Sequence, residues 1–288
     1  MPHSTTDEVP ARGIFALFKG DNGSGKSVGA LSFPKPYVFD HDRKMPAISQ
    51  KHFPNKKVDW DTFNDVFGIG DMLKQFVDYF PYESQAAADQ AGFRNENECP
   101  YETLIGDTIT GCSYTCIKTV DDVKGQDILS MLKNVKESKK GAKTIELRSY
   151  DTYNGEDNFL KYYIDTLKFL WARPGNPKHV IICAHILTSE QSGPPGTTIK
   201  TVTRRIVTAG NKIAAYIPAQ FDEVYQFATD QGSAFDENAQ IKHLCCTQGI
   251  GDDFAKTAYK LPAQIDFTNK SLFDLISDKV DIGRAKTL

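Results

Sequence analysis

The chain has 288 residues, 40% hydrophobic and 25% charged, with 34 Lys+Arg against 37 Asp+Glu for a net charge of −3. That composition supports a full core and excludes disordered, collagenous and coiled-coil chains, and the near-neutral balance excludes nucleic-acid binding by bulk charge. Apolar runs such as Val180–Ala184 fall far short of the ~20 residues a membrane span needs. Met1–Pro10 is polar and acidic, unlike a secretory leader, and six cysteines without a CxxC pair suit a reduced, cytoplasmic chain.

In chain order, Gly13–Phe18 reads as a buried strand that ends at a glycine-rich turn, followed by a short helix over Lys26–Ser32. Tyr37–Phe39 reads as a strand ending in Asp40-His41-Asp42. Residues 44–100 are mixed, with one amphipathic piece around Met72–Tyr79. Thr103–Ile105 is a strand fragment delivering Asp107. Residues 121–155 are polar and Lys-rich. The clearest helix spans Glu156–Trp171, where Leu160, Tyr163, Ile164, Leu167 and Trp171 share one face and Glu156 and Asp157 suit the first turn. His179–Ala184 is a continuous apolar strand, Thr198–Val207 alternates like a hairpin strand, and Glu223–Ala228 and Ile241–Thr247 are strand-like. Ser271–Ser277 is helical. Strands alternating with helices predict an α/β layer fold with a mainly parallel sheet. Residues 44–100 and 121–155 are expected to be insertions into a single domain covering 1–288.

The segment Gly20-Asp21-Asn22-Gly23-Ser24-Gly25-Lys26-Ser27 fits GxxxxGK[ST] in full, with a strand before it and a helix after it. Glycines let backbone N–H groups converge on phosphate oxygens, and the helix start adds partial positive charge next to Val28. Lys26 is expected to reach the β- and γ-phosphates, and Ser27 to ligate Mg²⁺. Asp107, at a strand end, is the expected second carboxylate for the metal; the plain alternative is an Asp capping a turn with Thr108. Hydrolysis also needs a group to orient or deprotonate water. Many P-loop ATPases carry a glutamate directly after that Asp; this chain has Thr108 there, so Asp42 is the candidate, with Asp40 as its rival. His185, at the end of an apolar strand, can set a polar head beside a γ-phosphate or merely cap the strand.

Together these residues resemble the RecA-like P-loop ATPases, most closely a phage-encoded branch with the Sak-four recombination ATPases and AAA-type phage nucleotide-binding proteins. The likeness runs through Phe15–Ser27, Phe33–Asp42, Thr103–Thr110, His179–His185, Thr208–Phe227 and Ala255–Pro262. It implies a RecA-like core, a Mg·ATP site, Asp42 in place of the catalytic glutamate, Asp107 as the Mg²⁺-associated aspartate and His185 as the polar sensor. It also implies action on single-stranded DNA in recombination or replication, and assembly into a ring or filament. Partnership with a phage single-strand binding protein follows from the same likeness. A neighbouring subunit is then expected to contribute a cation from Arg204, Arg205 or Lys212; the plain alternative for these is a solvated basic strand. Lys136, Lys139, Lys140 and Lys143 lie in a basic run that can contact a nucleic-acid backbone or simply be solvated. The alternatives to a DNA-acting ATPase are a nucleotide-dependent switch or assembly protein, and a small-molecule kinase.

Overall fold

The computed structural model describes residues 13–62, 101–123, 136–137, 143–144, 150–172, 178–192, 200–210, 212–230, 240–249 and 254–280. Strand β1 (Phe15–Gly20) leads through the glycine-rich turn into α1 (Lys26–Leu31), then β2 (Pro36–Asp40), α2 (Met45–His52) and β3 (Asp59–Asp61). Strand β4 (Thr103–Asp107) is followed by α3 (Ile109–Val123), the short pair β5 (Lys136–Glu137) and β6 (Lys143–Thr144), and α4 (Tyr150–Trp171). The chain closes with β7 (His179–Ser192), β8 (Lys200–Ile206), α5 (Lys212–Gln220), β9 (Glu223–Asp230), β10 (Lys242–Cys246), β11 (Gln264–Asp266) and α6 (Leu272–Val280).

The main sheet runs β11-β10-β9-β1-β7-β4-β2-β3, with β8 pairing the outer part of β7. From β9 to β3 all neighbours are parallel, whereas β9-β10-β11 and β7-β8 are antiparallel. Helices cover both faces, which explains why the central strands read as unbroken apolar runs. The period-2 alternation of β1 divides it between two cores. Phe15 and Leu17 face α3, α4 and α5, and Ile14, Ala16 and Phe18 face α1, α2 and α6. Strand β7 does the same, with Val180, Ile182 and Ala184 on one side and Ile181 and Cys183 on the other. The fold is thus α/β, with a mainly parallel sheet between two helical layers.

Several expectations are corrected. Helix α4 starts at Tyr150, six residues before the expected start, so Glu156 and Asp157 lie inside it. Both are buried rather than first-turn surface acids, and Glu156 accepts a short hydrogen bond from Ser113 on α3. Packing of α3 on α4 extends the helix through residues whose own propensity is weak. The segment expected as an insertion at 44–100 begins with two elements of the layer itself: α2, and β3, which extends the sheet beside β2. The amphipathic piece at Met72–Tyr79 lies outside the described residues. Within 121–155, α3 runs on to Val123 and α4 begins at Tyr150.

Candidate functional site

A cavity of about 380 Å³ opens where the C-terminal ends of β1 and β4 and the middle of β7 meet the turn after β2. It is lined by Gly23, Gly25, Lys26, Ser27 and Val28 of the phosphate loop, together with Asp42, Asp107, Thr108 and His185. Ligand sites at the carboxyl ends of parallel strands are the rule for such sheets, because loops rather than helices supply the groups there.

The loop is held open by its own backbone. Gly25 has φ +93°, a conformation that strains any residue bearing a Cβ. Lys26 is buried, and its Nζ donates to the carbonyls of Gly20 at 3.0 Å and Asp21 at 2.7 Å. Burial lowers the Lys26 pKa, partly offset by nearby acidic groups that include Asp107 and Asp21. The Gly20 and Asp21 side of the loop therefore holds the lysine rather than lining the cavity.

Ser27 Oγ donates to Asp107 Oδ2 at 2.9 Å. Asp107 is buried, and its Oδ1 has no hydrogen-bond partner. Burial pushes its carboxyl up to about 6; the charges of Asp42 and Asp40 add to this, while the Ser27 bond and Lys26 oppose it. A buried carboxylate with an unused oxygen beside a serine hydroxyl fits Mg²⁺ bound mostly through phosphate oxygens and water. The peptide after Asp107 is cis.

The rivals Asp40 and Asp42 have separate surroundings. Both Asp40 oxygens accept backbone N–H groups, from Lys44 at 3.2 Å and Met45 at 3.0 Å, and so fasten the start of α2. Asp42 faces the cavity. Its Oδ2 meets His185 Nε2 at 3.1 Å, Thr108 Oγ1 at 3.3 Å and Lys44 Nζ at 3.4 Å. Burial alone would raise its pKa, but the bond to His185 and the charge of Lys44 outweigh that and leave it below the ordinary value. Gly111 makes room for this carboxylate, because a Cβ there would sit 2.5 Å from Asp42 Oδ1.

His185 is also tied through its backbone: its N–H donates to Thr110 Oγ1 at 3.2 Å, and its carbonyl accepts from Val207 N at 2.8 Å. Thr110 in turn donates to the Val207 carbonyl at 2.8 Å. Sequence reasoning missed Lys44, Thr110 and Gly111, whose roles come from contacts across the fold rather than from any local pattern.

Arg204 and Arg205 are exposed on β8, opposite Thr188 and Leu187, and Lys212 is exposed at the start of α5. None of the three lines the cavity of its own chain. Lys136 and Lys143 lie on the antiparallel β5-β6 pair. Lys139 and Lys140 lie outside the described residues.

A family model described as an AAA domain (AAA_24) matches residues 12–248, most of the chain and all of the cavity's catalytic-type groups. The chain belongs to this AAA-domain family. Its sheet and phosphate loop are those of an AAA-type P-loop ATPase fold. Among solved structures, this AAA domain is similar to the flagellar accessory protein FlaH from Methanocaldococcus jannaschii. The identity is 13%, over 82% of this chain and 78% of that one, with a TM-score of 0.32. No curated protein matches it. Among the described residues of the AAA domain, no helix is long and apolar enough to cross a membrane.

Proposed function

We propose that the protein binds Mg·ATP and hydrolyses it, with Asp42 activating the attacking water. The observation that carries this reading is the convergence on one cavity of the Ser27–Asp107 and Asp42–His185 pairs, beside a buried Lys26. Lys26 exchanges its loop carbonyls for β- and γ-phosphate oxygens. Ser27 and Asp107 would hold a Mg²⁺ ion, which would supply positive charge against the phosphate oxygens. As the water oxygen bonds to the γ-phosphorus, the bond to the β,γ-bridging oxygen breaks, and Asp42 takes the water's proton. The lowered pKa leaves Asp42 fully ionised, so an acceptor oxygen is presented to the water. His185 orients Asp42 through Nε2 and lies where loss of the γ-phosphate changes its partners.

The finer reading is a phage-encoded, single-domain ATPase of the host cytoplasm, acting on single-stranded DNA in recombination or replication. In it the subunits assemble so that Arg204, Arg205 or Lys212 completes a neighbour's site. The sequence resemblance to the phage recombination ATPases supports this, as does the exposure of those three side chains. The deciding experiment is ATP turnover with and without single-stranded DNA, with mass followed by light scattering. Turnover that rises with DNA and with assembly is the expected result. Turnover indifferent to DNA removes the DNA role, and no turnover at all leaves a nucleotide-binding switch.

A further inference from the structure

The apolar stripe of α4 has an acid at its head. Leu160, Tyr163, Ile164 and Leu167 face the core, and Glu156, four residues before Leu160, continues the same face. Glu156 is fully buried, with Asp157 buried beside it. A carboxyl group at a core position is costly unless its oxygens find partners, and the ordinary occupant there is apolar. Burial raises the Glu156 pKa; the Ser113 hydroxyl and the backbone of Gly210 and Ala209 oppose the rise, while the charge of Asp157 adds to it.

What the carboxyl group holds is the turn between β8 and α5. Ser113 Oγ donates to Glu156 Oε1 and accepts the Ala209 N–H at 2.8 Å. Gly210 passes so close that a Cβ there would lie 2.6 Å from Glu156 Oε2 and 3.3 Å from Asp157 Oδ1. Thr208 closes the turn by donating to the Gly210 carbonyl. Three residues before Ser113 on α3, Thr110 grips the other end of the same segment. It donates to the Val207 carbonyl at 2.8 Å and accepts the His185 N–H at 3.2 Å. Residues 207–210 are thus pinned twice to α3, and the second pin reaches α4 through Glu156.

The site lies at the far end of these bonds. Val207 N–H donates to the His185 carbonyl at 2.8 Å, and His185 Nε2 meets Asp42 Oδ2 at 3.1 Å. We propose that Glu156 is a positioning residue for hydrolysis. Through Ser113 it fixes the 207–210 turn against α3, and with it the backbone of His185 and the orientation of Asp42. This rests on the reading of Asp42 as the group that activates water. Neither Glu156 nor Ser113 lines the cavity, and the phosphate loop holds Lys26 through its own carbonyls. Loss of Glu156 therefore acts on turnover and not on phosphate binding.

The test pairs steady-state turnover with ATP calorimetry on the full chain, for wild type, Glu156→Ala, Glu156→Gln and Ser113→Ala. Turnover is divided by the calorimetric number of ATP sites, so that unfolded protein does not count. Glu156→Ala and Ser113→Ala are expected to lower kcat per site by about tenfold or more, the scale for a catalytic group displaced from a distance, with ATP affinity unchanged. Glu156→Gln keeps an acceptor oxygen for Ser113 and should recover most of the loss. If Glu156→Ala does not fold, Ser113→Ala, which removes a single hydroxyl, decides by the same measure. The proposal is overturned by unchanged kcat per site in the folded alanine variants, or by a loss that appears as weaker ATP binding or fewer sites. Glu156→Gln as impaired as Glu156→Ala also overturns it. Wild-type protein that binds ATP without turning it over, or undiminished turnover in Asp42→Asn, brings down the reading of Asp42 itself, and shows this without any Glu156 variant.

Discussion

Asp42 and His185 are 143 residues apart in the chain, yet their side chains meet at 3.1 Å on the rim of the nucleotide cavity. The contact joins the turn after β2 to the far side of β4, because β7 lies between β1 and β4 in the sheet. It gives one carboxylate a fixed orientation and keeps it ionised, so that an acceptor oxygen is held toward the cavity.

Asp42→Asn should therefore keep ATP affinity and lower turnover by about 100-fold or more, within the range expected for losing general-base catalysis. Asp40→Asn should behave differently. It weakens the fastening of α2, so thermal stability should fall by the roughly 1 kcal/mol of a lost helix cap. Steady-state kinetics beside thermal melts separates the two, and the assignment fails if Asp40→Asn is the catalytic lesion.

Lys26→Met should abolish productive ATP binding while leaving the nucleotide-free fold as stable as wild type or more so. The ammonium is buried and its pKa is lowered, so the charged form is held at a cost that the nucleotide offsets. Melting curves with and without Mg·ATP check both halves: the ligand-induced shift should disappear and the apo midpoint should not drop.

Asp107 gives a pH signature. Its carboxyl is raised from an ordinary 3.8 to about 6 in the fold, so the native state favours the protonated form. Stability from this group is complete below about 4, declines as pH rises between 4 and 6, and is lost above that. Asp107→Asn should then raise the melting temperature of the nucleotide-free protein at pH 7.5, by an amount corresponding to roughly 3 kcal/mol at most. The advantage should vanish by about pH 4. Stabilisation by Mg·ATP should be lost in the same variant. A gain that persists at low pH would mean the carboxyl is not perturbed by burial.

Arg204→Ala, Arg205→Ala, Lys212→Ala protein should bind ATP and hydrolyse it poorly, because the three cations stand away from their own chain's cavity. Mixing it with Lys26→Ala protein should restore part of the activity at interfaces that pair an intact loop with intact cations. Activity independent of protein concentration, with no recovery on mixing, would show a site complete within one chain.

Much of this arrangement was legible in the sequence where function and local pattern coincide. The phosphate loop follows a fixed spacing, and the central strands are continuous apolar runs because both faces are covered. The stripe from Leu160 to Trp171 marks α4, although its start was hidden, since Glu156 resembles a first-turn acid until its contact with Ser113 is seen. Helix α3 was missed because Thr and Gly dominate its opening, and α5 because Pro218 interrupts it. Asp40 and Asp42 could not be ranked from sequence, since both end the same strand and only tertiary contacts assign one to α2 and the other to the cavity. The contact of His243 with Phe267 was invisible for the same reason: one ring lies on β10 and the other on the residue that follows β11.

Strand β7 does not stop at the site. It continues from His185 to Ser192 and is bonded along that length to β8, from Ile186–Ile206 outward to Ser192–Lys200. Histidine and hairpin thus share one stiff ribbon, clamped at its root where the backbones of His185 and Val207 bond to each other and to Thr110. Arg204 and Arg205 sit on this ribbon opposite Thr188 and Leu187, so a rotation about that root would carry both cations with it.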